Sequence, residues 1–195
     1  MKTSIFKKNQ SGFTVVELMT AIVIAGIITG VIGTFLLVHI KSFETTKDIV
    51  DIQYDTQLAM NSLNKTILEG KRAFIVKEDP LVVGQGIVDT TISGISTPFC
   101  IGFVNKDNSV ILFQYHATNK MIYFSQYSAY STTYATDLSS GSWYEFISNV
   151  EQWSFETIPS NTLFDQADAL QISLSLNKNG AIIDLSNTFK FRNKE

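Results

Sequence analysis

The chain has 195 residues, a formal net charge of −3 and one cysteine. That length suits one domain of ordinary size plus a segment outside it. The charge balance gives no sign of the basic stripe that marks a nucleic-acid binder, and a lone Cys100 excludes an internal disulfide framework.

The apolar residues are unevenly spread, and the first block of them decides the membrane question. Residues 1–12 read MKTSIFKKNQSG, with Lys2, Lys7 and Lys8 and no acid, so the remainder of the chain is the acidic part. Phe13 to Val38 reads FTVVELMTAIVIAGIITGVIGTFLLV, in which Glu17 alone is charged. From Leu18 to Val38 an uncharged helix spans a hydrocarbon core of about 30 Å at about 1.5 Å per residue. Lysines before the run and acidic sequence after it put the N-terminus in the cytoplasm and the rest outside.

An ordinary secretory signal has a shorter apolar stretch closed by an A-x-A-like site, and this run is too long and lacks that site. A plain signal anchor fits the length but leaves Glu17 unexplained, because an acid inside an apolar span costs about 2.5–3.5 kcal/mol on insertion scales. The stretch Gly12-Phe13-Thr14-Val15-Val16-Glu17-Leu18, behind a basic leader and ahead of an uninterrupted apolar run, resembles the processing site of type IV prepilins and pseudopilins. The resemblance implies cleavage between Gly12 and Phe13 by a prepilin peptidase, N-methylation of the new Phe13 amine, and an assembly role for Glu17. The new α-amine, with a reference pKa of about 7.7–8.0, is largely cationic at neutral pH, so a buried Glu17 of one subunit can pair with the Phe13 amine of a neighbour. Pairing within its own chain, or protonation in lipid, is the other way to accommodate the acid. Gly26, Gly30 and Gly33 interrupt the span, and Gly26-x-x-x-Gly30 has the spacing of close helix packing. Many major pilins carry a proline in this stretch and this chain has none, which weakens the case for a locally melted helix.

Past the span, residues 39–74 contain no Pro and only Gly70. Two apolar sets, Phe43, Val50, Tyr54, Leu58 and Met60, Leu63, Ile67, Phe74, recur at spacings of 3, 4 or 7, which predicts a buried helical face. Lys41, Glu44, Lys47, Asp48, Asp51 and Asp55 fall on the other. One helix from about Phe13 to about Ala73 is therefore expected, with two helices broken near His39–Lys41 as the alternative. After Asp79-Pro80 the sequence turns loop-rich around Gly84, Gly86, Gly94 and Pro98.

Strand-like runs follow at 99–104, 109–116, 121–127, 143–147, 150–158, 169–176 and 181–191. Turns are expected at Lys106-Asp107-Asn108, Thr118-Asn119-Lys120 and, most strongly, Asn179-Gly180. Within 150–158, Val150, Gln152 and Ser154 alternate against Glu151, Trp153 and Phe155. The Ser/Thr/Tyr-rich stretch 128–142 reads as a loop or irregular edge. The expected fold is α+β: a leader at 1–12, a membrane or filament-core helix at 13–38, its amphipathic continuation at 39–75, and a globular antiparallel sheet of five to seven strands within 76–195. The order of these runs is similar to minor pilins, J-type pseudopilins and Gram-positive competence minor pilins. Glu17 argues against the tip-most pseudopilin class, which typically lacks this acid.

Chemistry-bearing constellations are sparse. There is no H-E-x-x-H, C-x-x-C, G-x-S-x-G or Walker loop. His39 sits at the expected membrane exit, where an amphipathic ring is at home, and His116 lies mid-hairpin. Cys100 reads as a small buried hydrophobe, with a reactive thiol or intermolecular disulfide as the alternative. Asp165, Asp168 and Asn161 read as a solvated polar loop rather than a Ca²⁺ site, their spacing being unlike an EF-hand. Trp143, Trp153 and tyrosines 123, 127, 130, 134 and 144 are expected in a sheet core or subunit interface rather than on a sugar- or DNA-contacting surface.

The expectation is a non-enzymatic minor pilin or pseudopilin with no cofactor or metal, assembled into a type IV pilus, a type II secretion pseudopilus or a competence pilus. Its expected partners are the prepilin peptidase/methyltransferase, other pilin subunits, the inner-membrane assembly machinery and the lipid bilayer, with no nucleic acid or small molecule. It is expected in the bacterial plasma membrane as a single-pass protein, then in an extracytoplasmic filament. The alternative is a membrane-anchored extracytoplasmic binding or enzymatic domain.

Overall fold

The structure, a computed structural model, describes residues 12–89, 91–96, 99–140 and 142–192. Residues 1–11 of the expected leader, and Pro98 of the expected loop, lie outside them. The chain divides into two compact units, Met1–Thr45 and Thr46–Glu195. Helix α1 (Val15–Glu69) supplies the described helical part of the first unit and opens the second, with no break at His39–Lys41.

In the first unit, residues 15–45 make about 46 Å of helix at about 1.5 Å per residue. Leu18, Ile22, Ile28, Ile32, Phe35 and Leu36 are all exposed. A helix apolar on every side belongs in a membrane or among other helices. Its hydroxyls are internally satisfied: Thr20 Oγ1 donates to the Val16 carbonyl at 3.0 Å, Thr29 Oγ1 to Ala25 at 2.8 Å and Thr34 Oγ1 to Val31 at 2.9 Å. That removes the cost such groups would carry in lipid.

The second unit sets the rest of α1 against two antiparallel sheets. The larger comprises β1 (Gly70–Glu78), β2 (Gln85–Asp89), β4 (Cys100–Asn105), β5 (Val110–His116), β6 (Met121–Tyr127), β7 (Thr133–Ala135) and β8 (Tyr144–Ile147), in the order β7-β2-β1-β4-β5-β6-β8. The smaller comprises β3 (Ile95–Ser96), β9 (Val150–Ile158), β10 (Ala169–Lys178) and β11 (Ala181–Lys190), in the order β11-β10-β9-β3. The α+β arrangement of a long helix packed on antiparallel sheet is as expected. The single sheet of five to seven strands is not: the described residues form two sheets, and β1, β2 and β3 fall where the sequence predicts helix or loop.

Three further differences, and one choice between alternatives, have physical causes. The expected helix to Ala73, and the continuation to residue 75, stop at Glu69, so residues 70–75 are strand. Ala73 and Ile75 face the main core while Phe74 and Val76 face a second cluster, so β1 is buried on both sides and carries no alternation to betray it. The expected helical face is also split. Met60, Leu63 and Ile67 are buried, together with Ile52, Thr56 and Ala59, whereas Phe43, Val50, Tyr54 and Leu58 are exposed. In β9, Leu176 opposes Val150 while Ser175 opposes Gln152, so Glu151 is an extra residue. This bulge brings Val150 onto the buried face of Trp153 and Phe155 and breaks the strict alternation. Finally, of the two alternatives for 128–142 the irregular edge is the one that forms, since β7 is an edge strand of the larger sheet. The stretch holds β7 and a 3₁₀ turn (Leu138–Ser140), and with Trp143 it covers the back of the larger sheet: Tyr134 and Trp143 pack with Phe74, Val76, Cys100 and Leu112.

The main core joins the inner face of α1 to both sheets, through Ile101, Phe103 and Ile122 on one and Trp153, Phe155, Leu170, Ile172 and Leu174 on the other. Close approach at the back of the larger sheet needs a residue without a side chain. A Cβ on Gly102 would lie 2.2 Å from the Phe74 ring. The Asn179-Gly180 turn forms as expected, with φ of 53° and 87°. It docks on α1: Asn179 Nδ2 donates to Asp48 Oδ2 at 2.9 Å and Lys178 Nζ to Asp51 Oδ2 at 3.3 Å. The Asn179 amide, and then Lys178, hold the Asp48 carboxyl below its ordinary range.

A second polar clamp joins β1 to β2. Lys77 ion-pairs with Asp89, which also accepts hydrogen bonds from the Thr91 N–H at 2.8 Å and hydroxyl at 2.6 Å. These contacts, led by Lys77, lower Asp89 from 3.8 to about 2. Because the folded-state value is the depressed one, the clamp's contribution is complete above pH 4 and is lost as the pH falls toward 2. Asp89→Asn should therefore flatten the stability profile between those pH values in an acid-titrated urea series. A wild-type slope in the variant would show that Asp89 is not the group responsible.

Candidate functional site: the N-terminal processing segment

The residues singled out at the N-terminus converge on one short segment. Gly12, Phe13 and Thr14 precede α1 in non-helical conformation, and Phe13 is 88% exposed. The Gly12–Phe13 bond is thus exposed and outside the helix, where a peptidase cleft can reach it. Helix formation begins immediately behind it, and its cause is local. Thr14 is the N-cap: its hydroxyl accepts from the Glu17 N–H at 3.3 Å. Glu17 reaches back, its Oε2 accepting from the Thr14 N–H at 2.9 Å and the Thr14 hydroxyl at 2.9 Å. This reciprocal T-x-x-E capping box satisfies two donors that a helix start leaves over.

Of the two arrangements open to Glu17, the single chain therefore adopts the internal one, with Thr14 as partner. Thr14 was missed as a functional residue, although the T-x-x-E spacing ahead of an apolar run signals it. Helix capping leaves the Gly12–Phe13 bond outside the helix and sets Glu17 at the N-terminal margin of the apolar run.

Gly26, Gly30 and Gly33 lie on one face of α1, at offsets of four and seven residues. A Cβ at any of them would meet nothing within 4 Å, and all three are helical. Together they make a smooth notch on an otherwise bulky apolar rod, where another helix can approach closely.

The other residues singled out lie apart from this segment. Cys100 is wholly buried in β4, and burial pushes its thiol up. His39 stacks edge-on against Phe35 with ring centroids 4.1 Å apart. His116 ends β5, its buried Nδ1 without a hydrogen-bond partner. Trp153, Trp143 and Tyr134 are core residues, Tyr123, Tyr127 and Tyr130 pack on the second cluster, and Tyr144 is exposed. Asp165, Asp168 and Asn161 sit in the connection before β10. Among the described residues no group of three or more His, Cys, Asp or Glu is arranged to hold a metal.

Residues 7–33 match the family description of the prokaryotic N-terminal methylation motif. No curated protein matches the chain. The matched stretch takes in the open Gly12–Phe13 bond, the Thr14–Glu17 cap and all three glycines. The chain carries a type IV prepilin-like class III signal peptide. Such a motif implies processing by prepilin peptidase and assembly with other pilins. With the long apolar helix it fits a single-pass anchor in the inner membrane.

Proposed function

We propose that this prepilin-type precursor is a minor pilin or pseudopilin. It is cut after Gly12, methylated on Phe13, and drawn from the plasma membrane into a type IV pilus, a type II secretion pseudopilus or a competence pilus, where it primes assembly or sits near the tip. One observation carries the reading: within the matched motif, the Gly12–Phe13 bond stands just ahead of a helix whose first turn is closed by Thr14 and Glu17. Cutting there releases a cationic amine on Phe13, four residues before Glu17, the third helical position. A carboxylate at a helix start is favoured by the helix dipole, and in a dry helix bundle it gains further by meeting a neighbour's amine.

On this reading the protein works by assembly and catalyses no reaction of its own. Its partners are the prepilin peptidase/methyltransferase, other pilin subunits, the inner-membrane assembly machinery and lipid. The leader lysines keep the N-terminus cytoplasmic while the acidic remainder is exported. Mass spectrometry of the mature protein tests the reading. A first peptide beginning at N-methyl-Phe13 is expected. An intact Met1, or a cut beyond Val38, would overturn it and leave an ordinary membrane-anchored ectodomain.

A further inference from the structure

The loop between β1 and β2 presents apolar side chains to solvent without being slack. Leu81 is 90% and Val83 102% exposed. Beneath them the backbone is pinned. The Asp79 N–H donates to the Gln85 carbonyl at 2.8 Å, and the Gln85 N–H to the Val82 carbonyl at 3.2 Å. The Thr136 N–H donates to the Gly84 carbonyl at 2.8 Å. Asp79 Oδ1 also accepts from the Leu81 N–H at 2.8 Å. A fixed apolar tip loses little conformational freedom on docking. Its base is acidic: Glu78 and Asp79 lead into the loop, and Asp137 lies against Gly84. This acidic base disfavours an anionic lipid surface as the occupant.

A surface of opposite character lies in the same unit. A recess of about 630 Å³ is lined by Asn61, Asn64, Lys65, Leu68, Glu69 and Arg192. Leu68 is its exposed apolar residue, at 40%. Lys65 and Arg192 outweigh the charge of Glu69. The recess adjoins Gly70, where β1 begins, while the tip follows Glu78, where β1 ends. The nine residues of β1 separate them by about 30 Å at about 3.3 Å per residue. A chain cannot seat its own tip in its own recess, but a copy displaced along β1 can.

We propose that the Leu81–Val83 tip of one copy seats in the Lys65–Leu68–Arg192 recess of a second copy, head to tail, leaving the next tip and recess open. Such a heterologous contact leaves both ends open, so its length is set by how many copies stand side by side. The proposal rests on the assembly reading. A single loop tip covers far less than the roughly 800 Å² per partner of a stable soluble complex. The contact therefore operates only where the N-terminal helices already hold copies side by side and raise their effective concentration.

Cysteine cross-linking of the full-length protein in its host membrane tests this, since buried Cys100 leaves a silent background. Val83→Cys combined with Leu68→Cys should give a covalent ladder of dimers and higher species with a short bis-maleimide, while each single variant stays monomeric. Adding Lys65→Glu should reduce the ladder at least tenfold, and a further Glu78→Lys should restore it. Absence of a ladder, dimers from either single variant, or capture of a different protein or of lipid instead would each overturn the proposal. Mass spectrometry of the same samples separates the two levels. No ladder with a normal N-methyl-Phe13 terminus sinks the contact alone, whereas no ladder with an intact Met1 sinks the assembly reading as well.

Discussion

Glu17→Gln is expected to leave the protein inserted and cut at Phe13, yet to lower its amount in the filament fraction on the order of 10²-fold. The Gln change isolates charge from capping. A glutamine at this position can still reach back to the Thr14 N–H, because the capping box accepts Glu or Gln, so the helix start and the open Gly12–Phe13 bond are kept. What disappears is the anion. In an assembled bundle the neighbour's Phe13 amine would then be buried without a counter-charge, and breaking one side of a buried pair costs about 3–5 kcal/mol. At about 1.4 kcal/mol per tenfold change, that is roughly two to three and a half decades of incorporation.

Glu17→Ala should incorporate as poorly and also lose part of the cap. Thr14→Ala should forfeit only the cap, about 1 kcal/mol, and assemble nearly normally. Immunoblotting of sheared filaments, alongside the mass of the processed terminus, reads all three. Wild-type incorporation of the Gln variant would remove the carboxylate charge from the mechanism and leave capping as its role.

The second large effect lies in the core. Trp153→Ala should destabilise the second unit by about 3–5 kcal/mol, the range for truncating a buried aromatic. Trp153 is 2% exposed, opposes Leu174 across β9–β10 and meets Phe155 edge-on with centroids 4.8 Å apart. It belongs to the cluster that ties α1 to both sheets. Against a total stability of about 5–15 kcal/mol for an ordinary domain, that loss populates unfolded protein. Urea denaturation of the detergent-solubilised chain should show the midpoint fall by more than 1 M, given a slope of about 1–3 kcal/mol/M. Tyr144→Ala, at an exposed aromatic, should stay within about 0.5 kcal/mol of wild type. Equal midpoints for the two variants would contradict the burial on which the fold rests.

These predictions draw on features that were unequally legible in the sequence. The N-terminal segment was readable because its chemistry is local: a base-rich stretch, a Gly-Phe pair, an acid at fixed spacing and an apolar run need no tertiary context. The later hairpins were readable for a similar reason. Their turns carry residues that tolerate positive φ, and Asn108, Lys120, Asn179 and Gly180 indeed adopt it. Strand β1 was hidden because nothing local separates it from the helix. Phe74 keeps helical spacing from Ile67, and only pairing with β2 and β4 makes 70–78 extended.

The exposed row of Val50, Tyr54 and Leu58 shows the limit of periodicity, which reports that a face is apolar but not what covers it. Glu151 is a similar case, since one inserted residue shifts the phase of β9 and cannot be seen without its partner strand. At the processing segment, Thr14 was within reach of the sequence, whereas the present partner of Glu17 was not, because two satisfactory arrangements were open to the same acid.

The turn at Lys178 and Asn179 carries a consequence for biogenesis. It grips Asp51 and Asp48, residues 127 and 131 positions earlier in the chain. The strand leading into that turn, β10, also supplies Leu170, Ile172 and Leu174 to the core facing α1. The inner stripe of the helix therefore waits for nearly the whole chain to be made before it is covered, and such long-range closure is slow. A chain truncated before residue 169 would leave Ile52, Leu63 and Ile67 incompletely covered, and so open to proteolysis. The final hairpin thus closes the core only once nearly the full length of the chain is present.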